Sequence, residues 1–139
     1  MEAPSDIDKT LVGVRVLIVD DDHDCRELFR LVLEATGAAI VTAGSAREAL
    51  SEFLRWQPHI VVSELVMRDV DGCWLARRVR ASTGSGDRRP SMLAVTMDHQ
   101  EQSREHGLEA GFDAVLTKPI DPFEFRAVVE YLARSTGIV

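Results

Sequence analysis

The residues best placed to do chemistry lie immediately after short β-branched runs. Asp20, Asp21 and Asp22 follow the first run, Glu64 follows the third, Thr96 closes the fourth, and Lys118 and Pro119 follow the fifth. Carboxylates brought together in one pocket do not coexist freely: two of them about 4 Å apart repel by about 4 kcal/mol at an effective dielectric of 20. Such a group calls for a proton or a hard cation, and oxygen ligands that leave room for water suit Mg²⁺. Lys118 would add a fixed positive charge, and Thr96 a hydroxyl able to bond a phosphoryl oxygen. Acidic residues also crowd helix N-termini, where they satisfy free N–H groups and favour the helix dipole. Asp22 and Asp24 are assigned that capping role. Thr96 or Lys118 alone would be uninformative; four strand ends contributing compatible groups is far more specific.

The elements that must position these groups follow from the pattern. Val14 to Asp20, Ala39 to Ala43, Ile60 to Ser63, Met92 to Thr96 and Ala114 to Thr117 are apolar, β-branched stretches without in/out alternation, as in parallel strands covered on both faces. Helical periodicity lies between them: Ala46, Ala49, Leu50, Phe53 and Leu54 share one face, and Phe125, Val128, Val129 and Leu132 repeat the motif. Ser45 with Glu48 and Asp121 with Glu124 have capping-box spacing, Pro122 suits a first helical position, and Gly37 and Gly111 suit helix stops. Five strands with right-handed helical crossovers give an α/β, doubly wound, flavodoxin-like parallel sheet of order 2-1-3-4-5, whose ligands bind beyond the carboxyl ends of the strands. The fourth helix, Asp98 to Ala110, carries almost no large apolar residue except Leu108 and contains Gly107. It is expected to be among the most mobile parts of the fold.

The 139 residues suit one domain, assigned to residues 13–135, with a flexible N-terminal tail at 1–12, a C-terminal tail at 136–139 and a flexible loop from Ser82 to Asp87. An apolar share of 45% is ordinary for a globular protein, and 16 basic against 23 acidic side chains give a net charge of −7. An acidic surface repels nucleic-acid backbones and anionic membranes, so neither is expected as a partner. There is no long apolar run, the start is acidic rather than signal-like, and Cys25 and Cys73 have neither CxxC nor metal-site spacing. A reducing cytoplasm is the expected home.

From about Val14 to Leu132 the chain resembles the response-regulator receiver family of two-component signalling. The resemblance rests on VLIVDDD, HIVVSELVMRDVDG, LAVT and VLTKP, with Met67, Asp71 and Gly72 keeping their family places. It implies a non-enzymatic signalling module that takes a phosphoryl group from a sensor histidine kinase with Mg²⁺. The metal ligands would be Asp20, Asp21, the residue at position 64 and the backbone of Val66. Thr96 would be the switch hydroxyl and Lys118 the phosphoryl contact. A cis Lys118–Pro119 bond and output through the face of helix four, strand five and helix five are also implied, with homodimerisation as a second route.

Three positions depart from that pattern. Glu64 stands where the acceptor aspartate belongs, Arg68 replaces a proline, and Val115 replaces an aromatic switch residue. A glutamate carboxylate lies one methylene further out, and a displacement of about 1 Å can cost on the order of a hundredfold in rate. Arg68 is near enough in sequence to pair with Glu64. Glu64 is therefore expected to be a poor acceptor, or to imitate the phosphorylated state. His23, His59, His99 and His106 match no role and are expected at the surface. Two alternatives remain open: an Mg²⁺-dependent phosphatase of haloacid-dehalogenase type, and an interaction module that works without phosphate.

Overall fold

The computed structural model describes residues 9–83 and 89–139. In chain order the elements are β1 (Arg15–Val19), α1 (His23–Glu34), β2 (Ala39–Ala43), α2 (Ala46–Trp56), β3 (Ile60–Ser63), α3 (Gly72–Thr83), β4 (Ser91–Thr96), α4 (Glu101–Ala110), β5 (Ala114–Thr117) and α5 (Pro122–Ser135). The strands form one parallel sheet in the order β2-β1-β3-β4-β5, the expected doubly wound topology.

The core has two halves, one on each side of the sheet, because successive strand residues point to opposite faces. Leu17, Val19, Val61, Met92 and Ala94 pack with Phe53, Leu75 and Val79 from α2 and α3. Val16, Ile18, Ile60, Val62, Leu93 and Val95 pack with residues of α1 and α5. There the rings of Phe29 and Phe125 stack with centroids 4.5 Å apart. β1, β3 and β4 are covered on both faces, whereas β2, on the sheet edge, is only partly buried. Capping follows the predicted residues. Asp22 accepts from the N–H groups of Asp24 and Cys25, Ser45 from Glu48, and Asp121 from Phe123 and Glu124. The return bond from Glu48 lands on the Gly44 N–H rather than on Ser45. Gly37 and Gly111 both take positive φ after their helices.

Several expectations are corrected. The folded chain starts before residue 13: Leu11 is fully buried and its N–H bonds to the Thr36 carbonyl. At the other end, Ile138 packs against the core and donates to Ala133, so residues 136–139 are not a free tail. Most of the Ser82 to Asp87 loop lies outside the described residues. His59 is buried, not at the surface, and its Nδ1 accepts the Arg15 N–H. α4 begins at Glu101 rather than Asp98, because the Asp98 carboxylate accepts from the Gln100 N–H and the Ser103 hydroxyl and closes a turn ahead of the helix.

Only Gly107 and Ala110 of α4 are buried, so little side-chain packing fixes this helix. A Cβ added at Gly107 would lie 3.4 Å from Val115 and 3.5 Å from Leu65, which is ordinary contact. Gly107→Ala should therefore stabilise the protein by up to about 1 kcal/mol through helix propensity. The urea midpoint reads this directly; a fall in the midpoint would mean that the seam with Leu65 and Val115 does not yield.

Candidate functional site

Parallel register places the chemistry-bearing residues along one rim. Val19 is paired with Ser63 and Ser63 with Ala94, so the residues that follow β1 and β3 emerge side by side. The Glu64 N–H is tied to the Val19 carbonyl and the Lys118 N–H to the Thr96 carbonyl, which extends the ladder to these residues. Immediately after β5, the Lys118–Pro119 bond is cis, as the resemblance implied.

At the rim, Lys118 reaches across the sheet from the end of β5. Its Nζ donates to Asp20 Oδ2 at 2.8 Å and to Glu64 Oε1 at 3.1 Å. All three side chains are largely removed from water, with exposures of 14% for Lys118, 2% for Asp20 and 3% for Glu64. Burial pushes the Asp20 carboxyl above the ordinary carboxylate value, opposed by its bond to Lys118. Burial alone would lower the Lys118 ammonium, but the Asp20 and Glu64 carboxylates outweigh it and hold it well above the ordinary lysine value.

The Glu64 carboxylate has a full set of partners. Oε2 accepts from the backbone N–H groups of Leu65 at 2.6 Å and Val66 at 3.2 Å. Oε1 accepts from the Met97 N–H at 3.2 Å as well as from Lys118. A carboxylate offers about four lone-pair sites, and four donors fill them here. Three backbone N–H groups and one ammonium make an anion cradle, assembled from the loop after β3, the end of β4 and the end of β5, and Glu64 folds its own side chain into it.

Glycine at position 72 permits this fold of the chain. A Cβ there would stand 2.3 Å from the Glu64 carbonyl oxygen, while the Gly72 N–H donates to the Leu65 carbonyl at 2.8 Å. Thr96 is fully buried, and its Oγ1 accepts from the Asp98 N–H at 3.1 Å; it is not among the partners of Glu64.

Two sequence expectations are corrected here. Arg68 does not pair with Glu64. Its backbone N–H and Nε both donate to Asp21 Oδ2, at 3.0 and 3.3 Å, and Nη2 donates to the Asp21 carbonyl. The convergence of Asp20, Asp21 and Glu64 as metal ligands is only partial. Asp20 and Glu64 meet on Lys118 while Asp21 is held by Arg68, and no group of three or more His, Cys, Asp or Glu side chains able to hold a metal ion occurs among the described residues. As arranged, donors already sit on both carboxylate oxygens of Asp20 and of Glu64 and on Asp21 Oδ2. Sequence patterns missed the backbone donors of Leu65 and Met97, and also Arg26, whose guanidinium donates to the Asp20 carbonyl at 2.6 Å. Backbone N–H groups carry no residue signature, so no motif could have found them.

A family model described as the response regulator receiver domain matches residues 16–130. An uncharacterized 14.6 kDa protein of Leptolyngbya boryana is 40% identical over 122 residues, covering 88% of this chain and 92% of that one. The response regulator MprA of Mycolicibacterium vanbaalenii is 36% identical, and the phosphate regulon transcriptional regulatory protein PhoB of Pseudomonas aeruginosa 31%. The matched regions cover 88% and 91% of this chain but 52% and 55% of those regulators, so the chain spans about half their length. Among solved structures, a two-component response regulator from Clostridium difficile superposes with a TM-score of 0.81 over 90% of this chain and 99% of that one, at 24% identity. The chemotaxis response regulator CheY4 of Vibrio cholerae does so with a TM-score of 0.78 over 86% and 98%, also at 24% identity. At that identity these two likenesses show the fold.

Proposed function

Because the chain belongs to the response-regulator receiver family of two-component signalling, we propose that it is a receiver held in a single signalling state by Glu64, acting through protein contacts rather than by phosphoryl transfer. Receiver domains are generally non-enzymatic modules that work with histidine kinases and output domains, and they typically bind Mg²⁺ for phosphorylation. The observation that carries the proposal is the filled cradle: the Lys118 ammonium and the N–H groups of Leu65, Val66 and Met97 all point at the Glu64 carboxylate. These are the donors that would receive phosphoryl oxygens, and an anion already sits on them. A nucleophile must present a lone pair to the incoming phosphorus, and the carboxylate of Glu64 has none unengaged.

Two further features support the same reading. Asp21 Oδ2 is held by Arg68, so a cation would compete with that contact. Val115, at the position of the missing aromatic, is already buried and is too short to swing between two arrangements. Output in this reading passes through the face formed by α4, β5 and α5, where Phe123 and Tyr131 are exposed, either to a separate protein or to a second copy.

The test is incubation of the protein with acetyl phosphate and Mg²⁺, read by intact mass. No adduct is expected on a timescale that modifies an ordinary receiver. Stoichiometric gain of about 80 Da, one phosphoryl group in place of a proton, mapped to Glu64, would overturn the proposal.

A further inference from the structure

Most of the arginines with a defined environment are consumed by the fold. Arg80, for example, donates to the carbonyls of Gly111 and Pro90 and to Asp113. Three that are not lie on α2 and α3. Arg47 on α2 and Arg77 and Arg78 on α3 are exposed, and none has a carboxylate within ion-pair distance among the described residues. α2 packs on α3, and two of the three, Arg47 and Arg78, lie over the Trp74 ring. The Arg78 guanidinium lies 4.9 Å and that of Arg47 5.6 Å from the Trp74 ring centroid. The carboxylates of this seam are engaged elsewhere: Asp69 accepts from the N–H groups of Ala46 and Arg47, Asp71 from that of Trp74, and Glu48 from that of Gly44.

A guanidinium stacked on an indole keeps its plane fixed while its N–H groups, which lie in that plane, stay free. Two guanidiniums lie over this one ring, and a bidentate carboxylate is the partner that such a planar donor group matches. From this geometry we infer that the α2–α3 seam, centred on Trp74 with Arg47, Arg77 and Arg78, is a docking surface for an acidic segment of a partner polypeptide. Charge decides the class of occupant. The chain as a whole carries −7, and screening confines the basic patch to about 8 Å at physiological salt. A nucleic acid or an anionic membrane would extend past the patch and meet the acidic remainder, whereas a short acidic segment fits within it. Tryptophan and arginine are also the side chains that most often carry interface energy. The inference does not depend on how the Glu64 rim is read.

The experiment uses the full chain and a fluorescein-labelled poly-glutamate peptide, titrated by fluorescence anisotropy. In parallel, the indole N–H signals of Trp56 and Trp74 are followed by NMR and assigned with Trp56→Phe. Binding is expected to weaken with salt, to shift Trp74 and not Trp56, and to fall by about tenfold or more in R47E/R78E, as for loss of interface anchors. R47K/R78K keeps the charge but loses the planar fork, and should bind several-fold more weakly than the wild type. Both variants change exposed side chains, and thermal melts verify that they fold. No binding by the wild type, equal binding by R47E/R78E, an unmoved Trp74 signal, or equally tight binding of duplex DNA or phosphatidylserine vesicles would each overturn the inference.

Discussion

Glu64→Asp should raise the rate of phosphorylation by acetyl phosphate on the order of a hundredfold above that of the wild type. The shorter side chain withdraws its carboxylate by one methylene and vacates part of the cradle. The Lys118 ammonium and the N–H groups of Val66 and Met97, now pointing at Glu64, would then face the space where phosphoryl oxygens arrive. Positioning at the 1 Å scale is worth about two orders of magnitude in rate, and fixed donors aimed at developing charge add to it.

The Arg68 side chain is 86% exposed, so its ion pair with Asp21 is a surface contact of modest strength. Adding Arg68→Ala should raise the rate further, because Asp21 then loses the guanidinium and keeps only the backbone N–H of position 68. Intact mass with time, followed by peptide mapping, measures both steps. If Glu64→Asp remains unmodified in either background, the filled cradle is not what blocks the chemistry.

The second large effect concerns stability. Lys118→Met should cost about 3–5 kcal/mol at neutral pH, the usual penalty for removing one partner of a buried ion pair. Asp20 and Glu64 would be left side by side, nearly inaccessible to water and without their shared cation. The pH dependence follows from the two shifts. The folded-state pKa of Asp20 is raised, so the folded protein binds that proton more tightly than the unfolded chain. Its contribution is favourable at acid pH and declines as pH rises through the raised value. The pKa of Lys118 is raised as well, so its contribution is complete below the ordinary lysine value and is lost only as pH climbs through the higher folded one. Across the neutral range Lys118 therefore acts in full and offsets the burial of Asp20. In Lys118→Met only the carboxylate penalty is left, so the deficit should be largest near neutrality and shrink on acidification through the carboxylate range. Urea denaturation at neutral and mildly acidic pH measures both. A deficit that is small, or that grows on acidification, would contradict this account of the rim.

The fold was legible in the sequence to a high degree. β2, β3 and β5 begin and end at the residues their apolar runs predict, and Asp22, Ser45 and Asp121 cap the helices they were expected to cap. These are local signals: periodicity and capping act over a few residues. The rim was legible for the same reason, since a residue that directly follows a parallel strand is delivered to the sheet's carboxyl edge. What stayed hidden were pairings between segments distant in the chain. Leu11 and His59 look like tail and surface residues, yet Leu11 bonds to Thr36 beyond α1 and His59 to Arg15 at the start of β1.

Glu64 and Lys118 are therefore properties of the sequence, as is the family they indicate. That the Glu64 carboxylate is saturated is not. Its partners include backbone N–H groups from the ends of β3 and β4, which any residue except proline at positions 65, 66 and 97 would supply. Arg68 faces Asp21, forty-seven positions away, rather than Glu64. Such choices belong to the folded state, because hydrogen bonds and charge pairs are decided by distance in space, and the sheet alone brings β1, β3, β4 and β5 to one edge.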